Sequence, residues 1–288
     1  AGVNVAYRYV GAYDACYRDA TDGVYKSGLN LEDMTGNLDL ANDKLASVSG
    51  VYPLVGVTRA ECRTLAANVG SGWHQLDFAL WSALQMLYLT EYGSFNSQAK
   101  LGAGNTNGWY PGSSSNQNDS PHTIAGASNT TYADASSNGT QPSAGAKPGT
   151  AYMSYRGVEN LFGNCWTWVD GINVNIGAAG KVHYTNNHLN FADDTATNYT
   201  EIASAYPTGS GYIKDILSGV GFGFLGSSNS GGSSNTFLTD YHYASASLSR
   251  VVIVGGAADN GATAGAFCVN SGDGAGFSSR AFGARLCR

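Results

Sequence analysis

Residues 155–173, YRGVENLFGNCWTWVDGIN, constrain the fold more than any other stretch, because they concentrate bulky apolar side chains between glycines. Trp166 and Trp168 share one parity, so on a β-strand both rings would lie on the same face. Gly171 is one of three glycines in the run, and glycines here indicate tight turns or close backbone approaches. We interpret the stretch as a core strand that serves as scaffold.

Three polar side chains interrupt this apolar stretch. Glu159, Asn160 and Asn164 stand among bulky neighbours that favour burial. A buried polar group that has lost its water must hydrogen-bond to protein. We therefore expect these three side chains to bond to the backbone of loops.

The composition favours a neutral surface rich in hydrogen-bonding groups. Charged residues make up 12 % of the 288 residues, about half the usual share. The chain has 39 glycines and 18 tyrosines, a bias shared with antibody recognition surfaces. A loop-rich all-β or α+β protein needs many of the same residues. The net charge of −6 comes without any basic cluster, and no apolar run approaches the roughly 18 residues of a membrane span. We expect no nucleic-acid partner and no membrane insertion.

Two helices are predicted from their end signals. Thr58 and Glu61 have the spacing of a capping box, and Gly70 is placed to end the helix they begin. Asp77 can cap a second helix, whose apolar residues spread so widely that we expect burial on more than one side. Glu91 near its end opposes the helix dipole, a small cost unless the carboxylate has a partner.

The remaining segments are predicted as strands and loops. Residues 19–50 have no sustained periodicity and are predicted to form a long loop. Residues 103–149 are rich in Gly, Ser, Asn and Thr, which indicates a low-complexity surface insertion. Three strands are predicted near the end of the chain, over 237–243, 250–254 and 265–269.

The five cysteines are widely spaced and include no CxxC pair. That pattern fits neither a disulfide-stapled module nor a zinc site, so buried free thiols are expected. Cys268 and Cys287 would be able to pair if their strands were neighbours, and the sequence leaves this open.

Four segments, in order, resemble one protein family. GNCWTWVDG resembles the GNVWEW-type motif of the formylglycine-generating-enzyme branch of the C-type lectin fold, and the terminal GARLCR resembles its GFRL-type ending. The chain is most similar to phage tail and receptor-binding proteins of this branch, including variable proteins of diversity-generating retroelements. LTEYGSFNSQAKLGAG, PTGSGYIKD and VVIVGGAADNGATAGAF read like segments of those proteins.

The resemblance implies a single α+β domain over residues 1–288, in which small, mostly antiparallel sheets pack against two helices. It implies a ligand-display segment over about 250–288. The implied ligand-binding positions are Ala257, Ala258, Asp259, Thr263, Val269, Ser271, Asp273, Ala275, Phe277 and Ser278. The implied framework positions are Gly255, Gly256, Gly261, Gly265, Phe267, Gly283, Arg285 and Leu286.

The function implied by the resemblance is host recognition. A chain of this kind would form the receptor-binding domain of a phage tail fibre or tail-tip protein, located in the virion or displayed on a cell surface. Its partner would be a protein or glycan receptor on the host, and the domain would be a homo-oligomer such as a trimer. The alternatives are a structural protein that makes only subunit contacts and a metal-dependent oxidase of the parent enzyme branch.

The sequence contains no spacing that indicates a catalytic or metal-binding site. The parent enzymes bind copper through closely spaced cysteines near the C-terminus, whereas Cys268 and Cys287 are nineteen residues apart. His183 and His188 lie in a Tyr/Asn loop and are expected to be solvated. Asp193, beside a second acid, could hold a structural cation, although solvated acids are the commoner case. We therefore expect no enzymatic activity, no metal and no cofactor.

Overall fold

A computed structural model of the chain describes residues 7–27, 38–108, 122–129, 134–137, 150–219 and 222–288. Within these ranges, no helix combines the length and apolarity that crossing a membrane requires. The described chain contains eighteen strands, most of them short. They are β1 (Cys16–Arg18), β2 (Tyr25–Lys26), β3 (Lys44–Ala46), β4 (His74–Gln75), β5 (Ala135–Ser137), β6 (Tyr152–Tyr155), β7 (Val158–Glu159), β8 (Trp166–Val174), β9 (Val182–Tyr184), β10 (Thr200–Ala203), β11 (Gly211–Tyr212), β12 (Asp215–Gly219), β13 (Gly223–Ser228), β14 (Tyr241–Ala244), β15 (Arg250–Val254), β16 (Val269–Ser271), β17 (Phe282–Gly283) and β18 (Leu286–Cys287).

Three α-helices lie between β3 and β5: α1 (Arg59–Ala67), α2 (Phe78–Tyr92) and α3 (Ser97–Leu101). Two 3₁₀ turns, His188–Asn190 and Gly261–Thr263, complete the described elements.

The main sheet has the strand order β10-β9-β8-β15-β16-β14-β11, and β17 pairs with β8 outside this path. Its neighbouring strands are antiparallel, except that β14 runs parallel to β16 and β17 runs parallel to β8. The other strands form two- and three-stranded antiparallel sheets. An α+β chain of small, mostly antiparallel sheets is what the sequence predicted, and that part of the prediction is confirmed.

Strand β8 is buried along its whole length, as predicted for a core strand. Trp166 and Trp168 pack into the same hydrophobic cluster, so they share a face. The register with β15 then shifts between Val169 and Val174. Gly171 lies in this irregular stretch with φ +79°, and a Cβ there would stand 2.5 Å from the carbonyl oxygen of Thr185. The close approach expected at this glycine is therefore confirmed.

A hydrophobic cluster lies on each face of the main sheet. The first core contains Val169 and Ile172 of β8 together with Phe78 and Trp81 of α2. The second core combines the two β8 tryptophans with Leu65 and other residues of α1. One helix thus covers each face of the sheet, which agrees with the two-helix packing that the family resemblance implied.

Both predicted helix starts have the expected caps. The Thr58 backbone N–H donates to Glu61 Oε2 at 2.7 Å, and the Glu61 N–H donates back to Thr58 Oγ1 at 3.3 Å. A cap of this kind is worth about 1 kcal/mol. The last helical residue is Ala67 and the C-cap is Asn68, so the helix ends before the predicted Gly70. At the next helix, Asp77 Oδ1 accepts the Leu80 N–H at 2.9 Å.

The surroundings of α2 differ in part from the prediction. Leu87 is 43 % exposed, so the side of α2 that carries Leu87 is not buried, although wider burial was expected. Glu91 does have partners, because it accepts hydrogen bonds from Tyr155 Oη at 2.6 Å and Arg156 Nε at 2.9 Å. These bonds offset the unfavourable position of its carboxylate at the end of the helix.

Two loop predictions are wrong in part. The segment 19–50 contributes β2 and β3, which pair on either side of β1. The described parts of 103–149 are not a surface insertion either, since His122, Thr123 and Asn105 are almost completely buried. Both segments pair with distant parts of the chain, and local periodicity does not reveal such pairing.

Two of the three buried polar residues before β8, Glu159 and Asn164, form hydrogen bonds to loops as predicted, whereas Asn160 bonds to a strand. The Glu159 carboxylate accepts the backbone N–H groups of Gly126 at 2.9 Å and Ser128 at 2.7 Å. Asn164 Oδ1 accepts the Thr123 N–H at 2.8 Å. Asn160 Oδ1 accepts the N–H of Met153 in β6 at 3.3 Å. The low-complexity segment therefore satisfies polar groups of the core.

Arg285 connects the chain terminus to this buried network. Its guanidinium is 1 % exposed and pairs with Asp14 Oδ1 at 2.7 Å. It also donates to the carbonyl oxygens of Gly11, Glu159 and Asn160 at 2.8–3.0 Å. The residue was predicted as framework, and its contacts are those of a structural residue.

Candidate functional site

Three tyrosines form a continuous row at the edge of the main sheet. Tyr212 of β11 pairs directly across the sheet with Tyr241 of β14, and their ring centroids are 5.0 Å apart. Tyr243 follows on the same strand, with its ring centroid 4.7 Å from that of Tyr241. All three side chains are partly exposed. We call Tyr212, Tyr241 and Tyr243 the tyrosine face.

Alternation along β14 explains why the tyrosines share a side. His242, between the two β14 tyrosines, points into the protein, where it is 2 % exposed and its Nε2 lies 2.7 Å from Tyr206 Oη. Tyr243 on the other side packs against the second core and makes an edge contact with Trp166 at 5.7 Å. The tyrosine face therefore continues the sheet face that α1 covers further along.

The 3₁₀ turn Gly261–Thr263 is fastened to the tyrosine face. Tyr243 Oη lies 3.1 Å from Thr263 Oγ1 and accepts a hydrogen bond from Asn260 Nδ2 at 3.2 Å. On its other side the turn is held by Gln98 of α3, whose Nε2 donates to the carbonyl oxygens of Gly261 and Ala264 at 2.8 and 2.7 Å. The turn is thus fixed from two directions.

Seven of the ten predicted ligand-binding residues have some exposure. Phe277 is 46 % exposed, and its ring lies 5.3 Å from that of Phe282, which in turn contacts Trp168. The others lie on the loops before and after β16 or on that strand. They are Asp259, Thr263, Val269, Asp273, Ala275 and Ser278.

The prediction is corrected for three positions, because Ala257, Ala258 and Ser271 are only 1–2 % exposed. Ala257 packs into the second core, and Ala258 donates its N–H to the carbonyl oxygen of Asn164. Ser271 lies on the interior side of β16, with Oγ 3.4 Å from His242 Nε2. None of these side chains is available to a ligand at the surface.

The Val269 side chain also points away from the predicted binding surface. It shares the interior face of β16 with Ser271 and packs against the first core. Asn270 lies between them and pairs with Tyr243 across the parallel strands. Its Nδ2 donates to Asp273 Oδ2 at 2.9 Å. Strand β16 therefore presents Asn270, rather than the two predicted residues, on the side of the tyrosine face.

The accessible loop positions and the tyrosine face border the same core. Ala275 packs against the second core, as Tyr243 does. Asp273 is held by Asn270, and burial raises the pKa of its carboxyl while the nearby Arg250 opposes that change. Burial also raises the pKa of Tyr243, so its phenol stays neutral. The result is a surface of aromatic rings, amides and hydroxyls.

Sequence reasoning missed the tyrosines because it relied on family positions after residue 255, and it missed Asn260 because that residue is not one of those positions. The available signal was the alternation in YHYA at 241–244, which places two tyrosines on one side of a strand.

A buried cysteine–histidine pair is the arrangement most similar to a catalytic one. Cys165 Sγ lies 3.3 Å from His122 Nδ1, and the ring also faces the carbonyl oxygens of Asn164 at 3.0 Å and Arg280 at 2.7 Å. Burial raises the pKa of the Cys165 thiol well above its usual range and lowers that of His122 to about 4. Thiol and imidazole are therefore both neutral, whereas nucleophilic cysteines react as thiolates.

Metal-ligand groups are not assembled in the described ranges, where no three His, Cys, Asp or Glu side chains converge. Asp193, predicted as a possible cation ligand, instead accepts hydrogen bonds from Arg59 Nε at 2.6 Å and Arg63 Nη2 at 2.8 Å. The same arginines pair with the buried Asp170 of β8. His183 is 7 % exposed, so the prediction that it is solvated is wrong.

The cysteines are free and buried, including Cys268 and Cys287. The pairing that the sequence left open is therefore not formed.

Comparison with known proteins assigns no family. No family model matches the chain. No curated protein matches it either.

Proposed function

We propose that this chain is the receptor-binding domain of a phage tail fibre or tail-tip protein and has the C-type lectin fold of the formylglycine-generating-enzyme type. It binds a ligand on the host surface through the tyrosine face and the exposed parts of the loops around β16. The main support is the row of three partly exposed tyrosines, which contacts the turn Gly261–Thr263 through Tyr243 and Thr263.

The chemistry of this surface supports binding. Tyrosine combines a large apolar ring with a hydroxyl and loses little conformational entropy when it is fixed. Here the rings are already ordered by their mutual contacts, by the hydrogen bond that Asn260 donates to Tyr243, and by the contact between the Tyr243 and Thr263 hydroxyls. Preorganised groups of this kind gain affinity because less ordering remains to be done on binding.

The framework beneath the surface supports the same proposal. The sheet is covered by a helix on each face, and Arg285 ties the C-terminus to the buried network at Asp14. Exposed positions such as Asp259, Phe277 and Ser278 lie on loops outside that framework. Such loops tolerate substitution without loss of the fold, as a recognition surface requires.

Adsorption of the purified chain to host cells tests the proposal. Tyr241→Ala removes the central ring of the tyrosine face, and we expect binding to weaken about 30-fold, as for an aromatic hot spot. Tyr25→Ala is the matched control, because Tyr25 is also a strand tyrosine and is 43 % exposed on a separate small sheet. Equal binding by wild type and Tyr241→Ala would refute the assignment of this surface.

A subunit contact is the second function that this surface could serve, since tyrosines are also enriched between protein subunits. A homo-oligomer such as a trimer would present several copies of each site and raise avidity. Sedimentation of the Tyr241→Ala variant separates the two functions. Loss of the oligomer favours a structural interface, whereas an unchanged oligomer with weaker cell binding favours recognition.

The oxidase alternative is tested by elemental analysis. Stoichiometric copper or iron in the purified chain would favour the enzyme branch over a binding domain.

A further inference from the structure

A cavity of about 40 Å³ lies between α2 and the main sheet. Most of its wall is apolar and comes from helix, strand and hairpin residues of the first core. Representative lining residues are Phe78, Ile172, Phe224, Leu238, Val252 and Phe267.

Three polar side chains in the wall carry buried atoms that have no hydrogen-bond partner in the described part of the chain. They are Trp81 Nε1, Gln85 Oε1 and His242 Nδ1. The three residues are 1 %, 5 % and 2 % exposed, so bulk water does not solvate them. Buried polar atoms in folded proteins are nearly always bonded to protein or to ordered water.

The other polar atoms of two of these side chains are already engaged. Gln85 Nε2 donates to the carbonyl oxygen of Ala266 at 2.7 Å, which fixes the amide with its oxygen unbonded. His242 Nε2 lies 2.7 Å from Tyr206 Oη, which leaves Nδ1 as its unused ring nitrogen. The unsatisfied set therefore includes a donor from the indole, an acceptor from the amide and a ring nitrogen whose role depends on the tautomer.

We propose that this cavity is a hydration site that holds a cluster of about three water molecules bonded to Trp81, Gln85 and His242. Each water needs roughly 10–15 Å³ of cavity volume, so the volume matches about three molecules. Each water can donate and accept, and one cluster can therefore serve an indole N–H, an amide oxygen and either histidine tautomer.

Asp240 lies between the cavity and the protein surface. This residue lines the cavity and also lines a surface cleft of about 450 Å³ next to α3 and the turn Gly261–Thr263. One carboxyl oxygen accepts the Phe267 N–H at 2.8 Å, so Asp240 stands as a fixed polar group between cleft and cavity. Water exchange is expected to pass this side chain.

An atomic-resolution crystal structure of the whole chain tests the proposal, together with a second crystal exposed to xenon. We expect ordered waters within hydrogen-bond distance of all three atoms and no xenon in the cavity. Dry apolar cavities do take up xenon. A xenon site there, or the three atoms bonded instead to protein groups, would overturn the proposal.

Water relaxation dispersion gives a solution test. Val252→Ile places one more methyl group in the cavity wall and should reduce the signal of long-lived buried waters by about one third, one water in three. Val254→Ile is the control, because Val254 is on the same strand and buried in the same core but does not line the cavity. Equal signals from both variants would contradict the assignment, and the wild-type crystals decide the question if Val252→Ile does not fold.

Discussion

Raising the pH from 6.5 to 8 is expected to destabilise this protein through Asp240. The side chain is 3 % exposed, and burial raises the pKa of its carboxyl to about 8, with bonds from Phe267 and Thr239 opposing the change. In the unfolded chain the same group titrates near 4. The folded state therefore binds the extra proton across this interval, and stability falls as pH rises.

The size of the effect follows from the proton linkage. One proton bound only by the folded state changes the unfolding free energy by about 1.4 kcal/mol per pH unit, which gives about 2 kcal/mol over this interval. Below about pH 6.5, His122 and His242 change the unfolding free energy in the opposite direction, because burial lowers the pKa of each imidazole to about 4. Their unfolded forms bind the extra protons there, so stability from these two groups is lost as pH falls.

Urea unfolding at fixed pH values measures the effect. Asp240→Asn keeps an oxygen for the Phe267 N–H and carries no charge, so its stability should no longer fall between pH 6.5 and 8. Asp215→Asn removes an exposed aspartate from the neighbouring hairpin and should retain the wild-type slope. A flat wild-type profile, or the same slope in Asp240→Asn, would refute the reasoning.

Three further outcomes are expected. Gly171→Ala should destabilise the protein by several kcal/mol more than Gly177→Ala in urea unfolding, because φ is similar at the two sites but only the first adds a clash with a backbone oxygen; equal losses would contradict this. Arg285→Met should cost about 3–5 kcal/mol by leaving Asp14 buried without its partner, and Asp14→Asn in the same chain should recover part of the loss; no recovery would count against the pairing. The five cysteines should react with a thiol reagent only after denaturation, when all five should be labelled, and any fast native reaction would disagree with their burial.

Features coded by nearby residues were predicted well. The start of α1 follows from Thr58 and Glu61, and the start of α2 follows from Asp77, because each cap bonds within four residues. The close approach at Gly171 was also predicted from sequence. The small strands were not, since β3 forms only by pairing with β1, and β5 only by pairing with β6.

The candidate site was predicted less well, for a related reason. Val269 and Ser271 were selected, whereas Asn270 is the residue beside Tyr243. A shift of one residue reverses the direction of a strand side chain, and the direction is set by pairing with β14 and β15. The sequence of β16 alone does not contain that information.

Strand β14 brings the two proposals together and also makes them separable. Tyr241 belongs to the tyrosine face, whereas Asp240 and His242 line the internal cavity on the opposite side. We therefore expect Tyr241→Ala to weaken cell binding without removing the stability change between pH 6.5 and 8. Asp240→Asn should remove that change without weakening binding. If either variant altered both measurements, the two faces of β14 would be coupled, and the independent roles assigned to them would be wrong.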